Sequence, residues 1–226
     1  MFAADRLRNE LLCANPIGRH SSKGILIVFV CSSLDLQFYR KGSHVGKILL
    51  VIGDGAEVID TMVPLFRLAE DFEVVKAAPA KRAYHLVQHH HDPAWDITVE
   101  TPGYLLDSDI SFGDVKPDEY IGLVLPGGRA PEFLRYDQDL LRITQHFFEH
   151  NKPVASICHG IEILAAADVI RGRRVTTIPR CRLDAEFSGA TYVAEGLVVD
   201  GNLYCCRFKK ECAPWMKAFV AALKKT

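Results

Sequence analysis

Three short apolar runs, each passing straight into a glycine-bearing turn and then into a helical pattern, constrain this chain more than anything else in it. They are Lys47-Ile48-Leu49-Leu50-Val51-Ile52 before Gly53-Asp54-Gly55, Tyr120 to Leu125 before Pro126-Gly127-Gly128, and Pro153 to Ile157 before Cys158-His159-Gly160. Runs this short, with no polar alternation, read as strands buried on both faces. Strands that alternate with helices imply a mostly parallel α/β sheet with helices on both faces, whose ligands bind beyond the carboxyl ends of the strands. All three glycine turns fall at that edge.

Around these runs the pattern predicts a helix over Glu57 to Asp71, kinked at Pro64, and a strand over Phe72 to Ala77. Ala80 to Asp118 is polar, with short pieces (Tyr84 to Val87, Ile97 to Val99, Ile110 to Phe112) that suggest small strands or loops. One long amphipathic helix is predicted from Pro131 to His150, a short apolar helix after Gly160, strands over Arg174 to Ile178, Thr191 to Val193 and Leu203 to Cys206, and a terminal helix.

Residues 1–44 differ from the rest: they carry a net charge of +3, against −4 for residues 45–226. Ile25 to Val30 there could form a strand, but no helix nearby completes a βαβ unit. The segment reads as an extension, either a true appendage or an over-long reading frame that should start near Val45, and an intact mass of the natural protein would decide which. The basic flank before Gly24 to Cys31 superficially resembles a signal peptide, but no convincing small-residue cleavage site follows. No apolar run reaches the length of a membrane span. A formal net charge of −1 argues against a nucleic-acid footprint. Seven cysteines without a CxxC pair fit reduced thiols in the cytoplasm.

The chemistry concentrates at Cys158. A nucleophile placed between a buried strand and a helix is pushed out of the sheet edge, where backbone N–H groups and the helix N-terminus can lower a thiol pKa and stabilise an oxyanion. The competing reading is a small buried apolar cysteine. Gly127 and Gly128 can aim backbone N–H groups at the same crevice, or simply form a turn. Glu57 follows the first strand and suits proton transfer beside a thiol, or caps a helix dipole; Asp54 is the weaker choice. His85, His89, His90 and His91, perhaps with Asp92, could ligate a metal, yet consecutive histidines do not preform a tetrahedral site and no HExxH spacing occurs, so no metal is expected. Cys181 and Cys205-Cys206 read as packed thiols, with resolution of an oxidised Cys158 by Cys181 as the alternative.

The motifs Ile52-Gly53-Asp54-Gly55-Ala56-Glu57, Leu125-Pro126-Gly127-Gly128-Arg129-Ala130-Pro131-Glu132 and Ala155-Ser156-Ile157-Cys158-His159-Gly160, in that order, resemble the ThiJ/PfpI family of the class I glutamine amidotransferase-like superfamily. The resemblance spans residues 47 to 223 and implies a flavodoxin-like sandwich. It implies Cys158 as elbow nucleophile, His159 as its neighbour and Glu57 as the carboxylate that hydrogen-bonds the thiol, with Gly127, Gly128, Arg129 and Asp54 around the oxyanion and substrate. True glutamine amidotransferases use a downstream His, and no histidine follows His159, so glutamine hydrolysis is disfavoured. The Gly-Arg-Ala-Pro-Glu turn and Ser-Ile-Cys-His-Gly elbow most resemble the branch that includes plant glyoxalase-like members, which implies a cofactor-free enzyme acting on small α-oxoaldehydes; the charge balance and the absence of an apolar span leave nucleic-acid and membrane partners unexpected. Intracellular cysteine peptidase and chaperone or thiol stress sensor are the alternatives within the family. Its members are commonly homodimers or larger, an interface that the extension puts in question.

Overall fold

The computed structural model describes residues 46–226. The expected extension over residues 1–44, its strand Ile25 to Val30, Cys13 and Cys31 all lie outside the described residues.

Eleven strands and six α-helices are formed among the described residues. In chain order the first half comprises β1 (Lys47–Val51), α1 (Val58–Ala69), β2 (Glu73–Ala78), β3 (Ala83–His90), β4 (Val99–Asp107), β5 (Ile110–Ser111) and β6 (Tyr120–Leu125). There follow α2 (Ala130–Leu134), α3 (Gln138–Glu149), β7 (Val154–Ile157), α4 (Ile161–Ala166), β8 (Arg174–Val175) and α5 (Arg182–Phe187). The chain closes with β9 (Thr191–Tyr192), β10 (Leu197–Asp200), β11 (Leu203–Cys206) and α6 (Cys212–Leu223).

The main sheet has seven strands in the order β10-β11-β7-β6-β1-β2-β5. Every pair is parallel except β10 with β11. The buried runs explain the layering. Along β1, Leu49 and Val51 face one side, where they join Leu134 of α2, Ile143 and Phe147 of α3 and Leu164 of α4. Ile48 and Leu50 face the other, against Leu68 of α1 and Trp215 and Phe219 of α6. A strand with apolar side chains on both faces can only be satisfied by helices on both sides, which is the sandwich the sequence predicts.

Five details depart from the sequence expectation, one of them the antiparallel edge strand β10, which no predicted element covers. The helix expected over Pro131 to His150 is two helices, because Asp137 caps the second: its Oδ1 accepts from the N–H groups of Asp139 and Leu140, both at 3.0 Å. The polar region after Ala80 builds an antiparallel hairpin of β3 and β4 outside the main sheet. Arg174 to Ile178 is strand only over its first two residues, paired with β9 in a separate two-stranded sheet. Helix α5 was not anticipated, as its six residues show little apolar periodicity. No helix among the described residues is long and apolar enough to cross a membrane.

Candidate active site

β7, β6 and β1 are neighbours in the sheet, so the segments leaving their carboxyl ends share one edge. Cys158 leaves β7, Gly127 and Gly128 leave β6, and Glu57 closes the turn after β1. The turns are tied together by the backbone: Glu57 N donates to Gly127 O at 3.1 Å and Arg129 N to Gly55 O at 2.7 Å.

Cys158 has φ +55°, in the left-handed region that a side chain rarely occupies. Such a backbone costs about 1–3 kcal/mol and persists only when its surroundings hold it. Thr177 supplies part of that hold, its hydroxyl donating to the Cys158 carbonyl at 2.6 Å. The elbow leaves the thiol half-buried, with Sγ 3.4 Å from His159 Nδ1. Burial pushes the pKa of His159 down, which keeps its ring neutral at pH 7 and able to accept a proton.

Gly127 is required by proximity. A Cβ there would lie 2.5 Å from Asp60 Oδ2, 2.5 Å from Cys158 Cβ and 3.1 Å from Sγ. The same numbers show that Asp60 and Cys158 crowd around one point. Gly128, at φ +87°, has no room either, since its Cβ would meet Gly55 O at 2.3 Å.

The carboxylate beside the thiol is therefore Asp60, a residue the sequence reading passed over. Glu57 caps α1, its Oε2 accepting from Asp60 N at 2.9 Å, while Oε1 is buried without a partner. Asp60 lies one helical turn on, pointing back to the same crevice, with Oδ2 buried and in no regular hydrogen bond. Burial and the neighbouring Glu57 charge push the Asp60 pKa well above the usual carboxylate range. Burial and the Asp60 charge likewise push the Cys158 thiol up, against the backbone N–H groups of His159 and Gly128, which favour the thiolate. The Asp60 charge raises the thiol, while the hydrogen bond from the thiol favours the Asp60 carboxylate, so the two groups titrate as a coupled pair. The expectation that a helix N-terminus would depress the thiol pKa is corrected here, because α4 has only six residues and burial dominates.

In front of the thiol lies a cavity of about 320 Å³ lined by Glu57, Asp60, Cys158, His159, His89, His91, Arg180 and Lys209 among others. Four sequence candidates do not line it: Gly127 and Gly128, which approach the thiol from the end of β6, and Asp54 and Arg129. Asp54 is bound to Arg82 at 2.7 Å and to the N–H of His85 at 2.9 Å, and lines a different cavity. Arg129 is held by Glu132 at 2.9 Å and lies 3.7 Å from Glu100. The histidine run alternates along β3: His89 bonds Glu100 at 3.1 Å and His90 bonds Thr101 at 3.0 Å. Behind the elbow, Cys181 Sγ donates to Glu162 Oε1 at 3.5 Å, and burial drives the pKa of that thiol well up. Thr177, Arg180 and Lys209 carry no local signal in the sequence, since each comes from a segment distant from the motifs, and Glu162, just past the elbow motif, reads as an ordinary helical acid. Asp60 had one: its spacing of three from Glu57 puts both at the same helix end.

Comparison with known proteins bears on this geometry. The sequence model of the DJ-1/PfpI family matches residues 46–222. The protein called Deglycase TK1284 of Thermococcus kodakarensis is 38% identical over 178 residues, covering 79% of this chain and 99% of that protein. Deglycase PfpI of Pyrococcus furiosus is 35% identical over 178 residues, with the same two coverages of 79% and 99%. The crystal structure of a ThiJ/PfpI domain protein from Brachyspira murdochii superposes with a TM-score of 0.68 at 18% identity, covering 80% of this chain and 97% of that one, a likeness of fold.

Proposed function

The chain belongs to the DJ-1/PfpI family, and from that premise we propose that it is a cofactor-independent cysteine enzyme of the glyoxalase or deglycase type acting on small α-oxoaldehydes. Relatives at 38% and 35% identity bear the name deglycase, which supports a deglycase-type activity. The observation that carries the reading is the Cys158 thiol on its left-handed elbow, sharing a buried crevice with the Asp60 carboxyl and the neutral His159 ring.

Sulfur attacks the aldehyde carbon as its proton passes to Asp60, giving a hemithioacetal. The new oxyanion lies near the N–H groups that already favour charge on the sulfur, those of Gly128 and His159. His159, neutral and beside the sulfur, or Glu57, whose Oε1 has no other partner, moves a proton from the former aldehyde carbon to its neighbour. Water then cleaves the thioester and returns the thiol. The balance is R–CO–CHO plus water to the 2-hydroxy acid, an internal oxidation and reduction that needs no external oxidant.

The protein acts as a homodimer or larger assembly in the cytoplasm. Support for assembly is the apolar surface on and before β4, where Trp95, Tyr104 and Leu105 are each more than 60% exposed. Support for a reducing compartment is that all five described cysteines are free. The test of the reaction is conversion of methylglyoxal to lactate without glutathione or added metal. Wild type turns over and Cys158→Ala loses all activity; an active Cys158→Ala protein, or a folded wild type that produces no lactate, overturns the reading.

A further inference from the structure

The charges around the cavity are unevenly paired. Arg82, Arg129 and Arg135, which surround the same sheet edge, each have carboxylate partners: Asp54, Glu132 and Glu100, and Asp184 and Glu162. Arg180 and Lys209, which line the cavity itself, have no carboxylate within ion-pair distance among the described residues, although the Lys209 charge acts on Asp60 across the cavity. Arg180 donates to Thr98 Oγ1 at 2.9 Å and to the backbone carbonyl of Asp96, and Lys209 donates to the backbone carbonyl of His89 at 3.2 Å. These neutral oxygens position the two cations without cancelling them.

The acids facing them are Glu57 and Asp60, on the floor beside the thiol, where Glu57 accepts from the Asp60 N–H and Asp60 crowds the sulfur. Charge in the cavity is thus polarised, with the reacting sulfur and proton-transfer groups deep and two permanent cations nearer solvent. A neutral substrate such as methylglyoxal gives those cations nothing to bind.

We propose that the cavity selects carbonyl compounds carrying a carboxylate or phosphate at the end opposite the aldehyde, with Arg180 and Lys209 as the specificity-determining residues. This rests on the glyoxalase-type reading only for the reaction, not for the charge preference. Partly exposed pairs of this kind give selectivity of about tenfold for the two cations together.

The preference is read without turnover by alkylating Cys158 with anionic iodoacetate and with neutral iodoacetamide, sulfur displacing iodide in both. Each rate, followed by mass spectrometry of the Cys158 peptide, is divided by that of 2-mercaptoethanol. Wild type should show a normalised iodoacetate-to-iodoacetamide ratio about tenfold above that of an Arg180→Gln, Lys209→Gln double variant, and added salt should erode the difference. Arg180→Lys, which keeps the charge, should retain most of it. Equal ratios in wild type and the double variant overturn the proposal.

A second arm compares kcat/KM for 4,5-dioxopentanoate, which would yield 2-hydroxyglutarate, with that for uncharged 2-oxopentanal. A higher value for the anion, lost in the double variant, supports the proposal, and an equal or lower value contradicts it. Turnover of neither compound with the alkylation preference intact supports anion selection and overturns only the glyoxalase reading.

Discussion

The motif residues Cys158, His159, Glu57 and Gly127 were legible in the sequence because each is tied to a strand end, and strand ends are fixed by buried apolar runs. Asp60 was not singled out despite its spacing of three from Glu57, because an acidic residue in a first helical turn ordinarily faces water; here it is 3% exposed. Asp54 and Arg129 sit in the right turns, but ion pairs with Arg82 and Glu132 draw them away from the thiol. Glu162 shows the same blindness to burial. It is 5% exposed, and burial pushes its pKa from 4.5 up to about 7. The folded state therefore binds more protons than the unfolded one between those values, so stability falls as pH rises through this window and the penalty is complete above it. Glu162→Gln removes that titration. Denaturant unfolding should find the variant stabilised relative to wild type by about 1–3 kcal/mol more at pH 8 than at pH 4.5. A pH-independent difference would contradict the account of this carboxyl.

At the scale of elements, the three buried strands and their crossovers were readable because a run with no polar alternation leaves one architecture open. Boundaries set by a single side chain were less so. The break between α2 and α3 depends on Asp137, whose Oδ1 accepts from two N–H groups that would otherwise have no partner at that helix start. In the sequence the break was hidden by an amphipathic pattern that continues across it. Asp137→Ala should cost about 1 kcal/mol in urea unfolding, the usual loss for a helix cap. No measurable loss would mean that packing of Leu140, Ile143 and Phe147 alone fixes the start of α3. The β3–β4 hairpin was harder still, since its second strand is nearly all exposed and gives no apolar alternation to read.

For the whole molecule, the edge of the sheet gathers the candidate site, and the exposed hairpin is the surface on which the proposed assembly is tested. Trp95, Tyr104 and Leu105 at the surface predict a solution mass at least twice that of one chain by light scattering, and a Leu105→Asp variant that shifts toward the monomer. A monomeric wild type would contradict assembly through this face. The most direct test of the central claim, that Asp60 is the acid sharing its proton with Cys158, is methylglyoxal turnover by Asp60→Asn and Glu57→Gln side by side. The account predicts that Asp60→Asn lowers kcat by about a hundredfold or more and Glu57→Gln by clearly less, with both variants folded as wild type. An Asp60→Asn enzyme as fast as wild type beside an inactive Glu57→Gln enzyme would assign the proton to Glu57 and contradict the account.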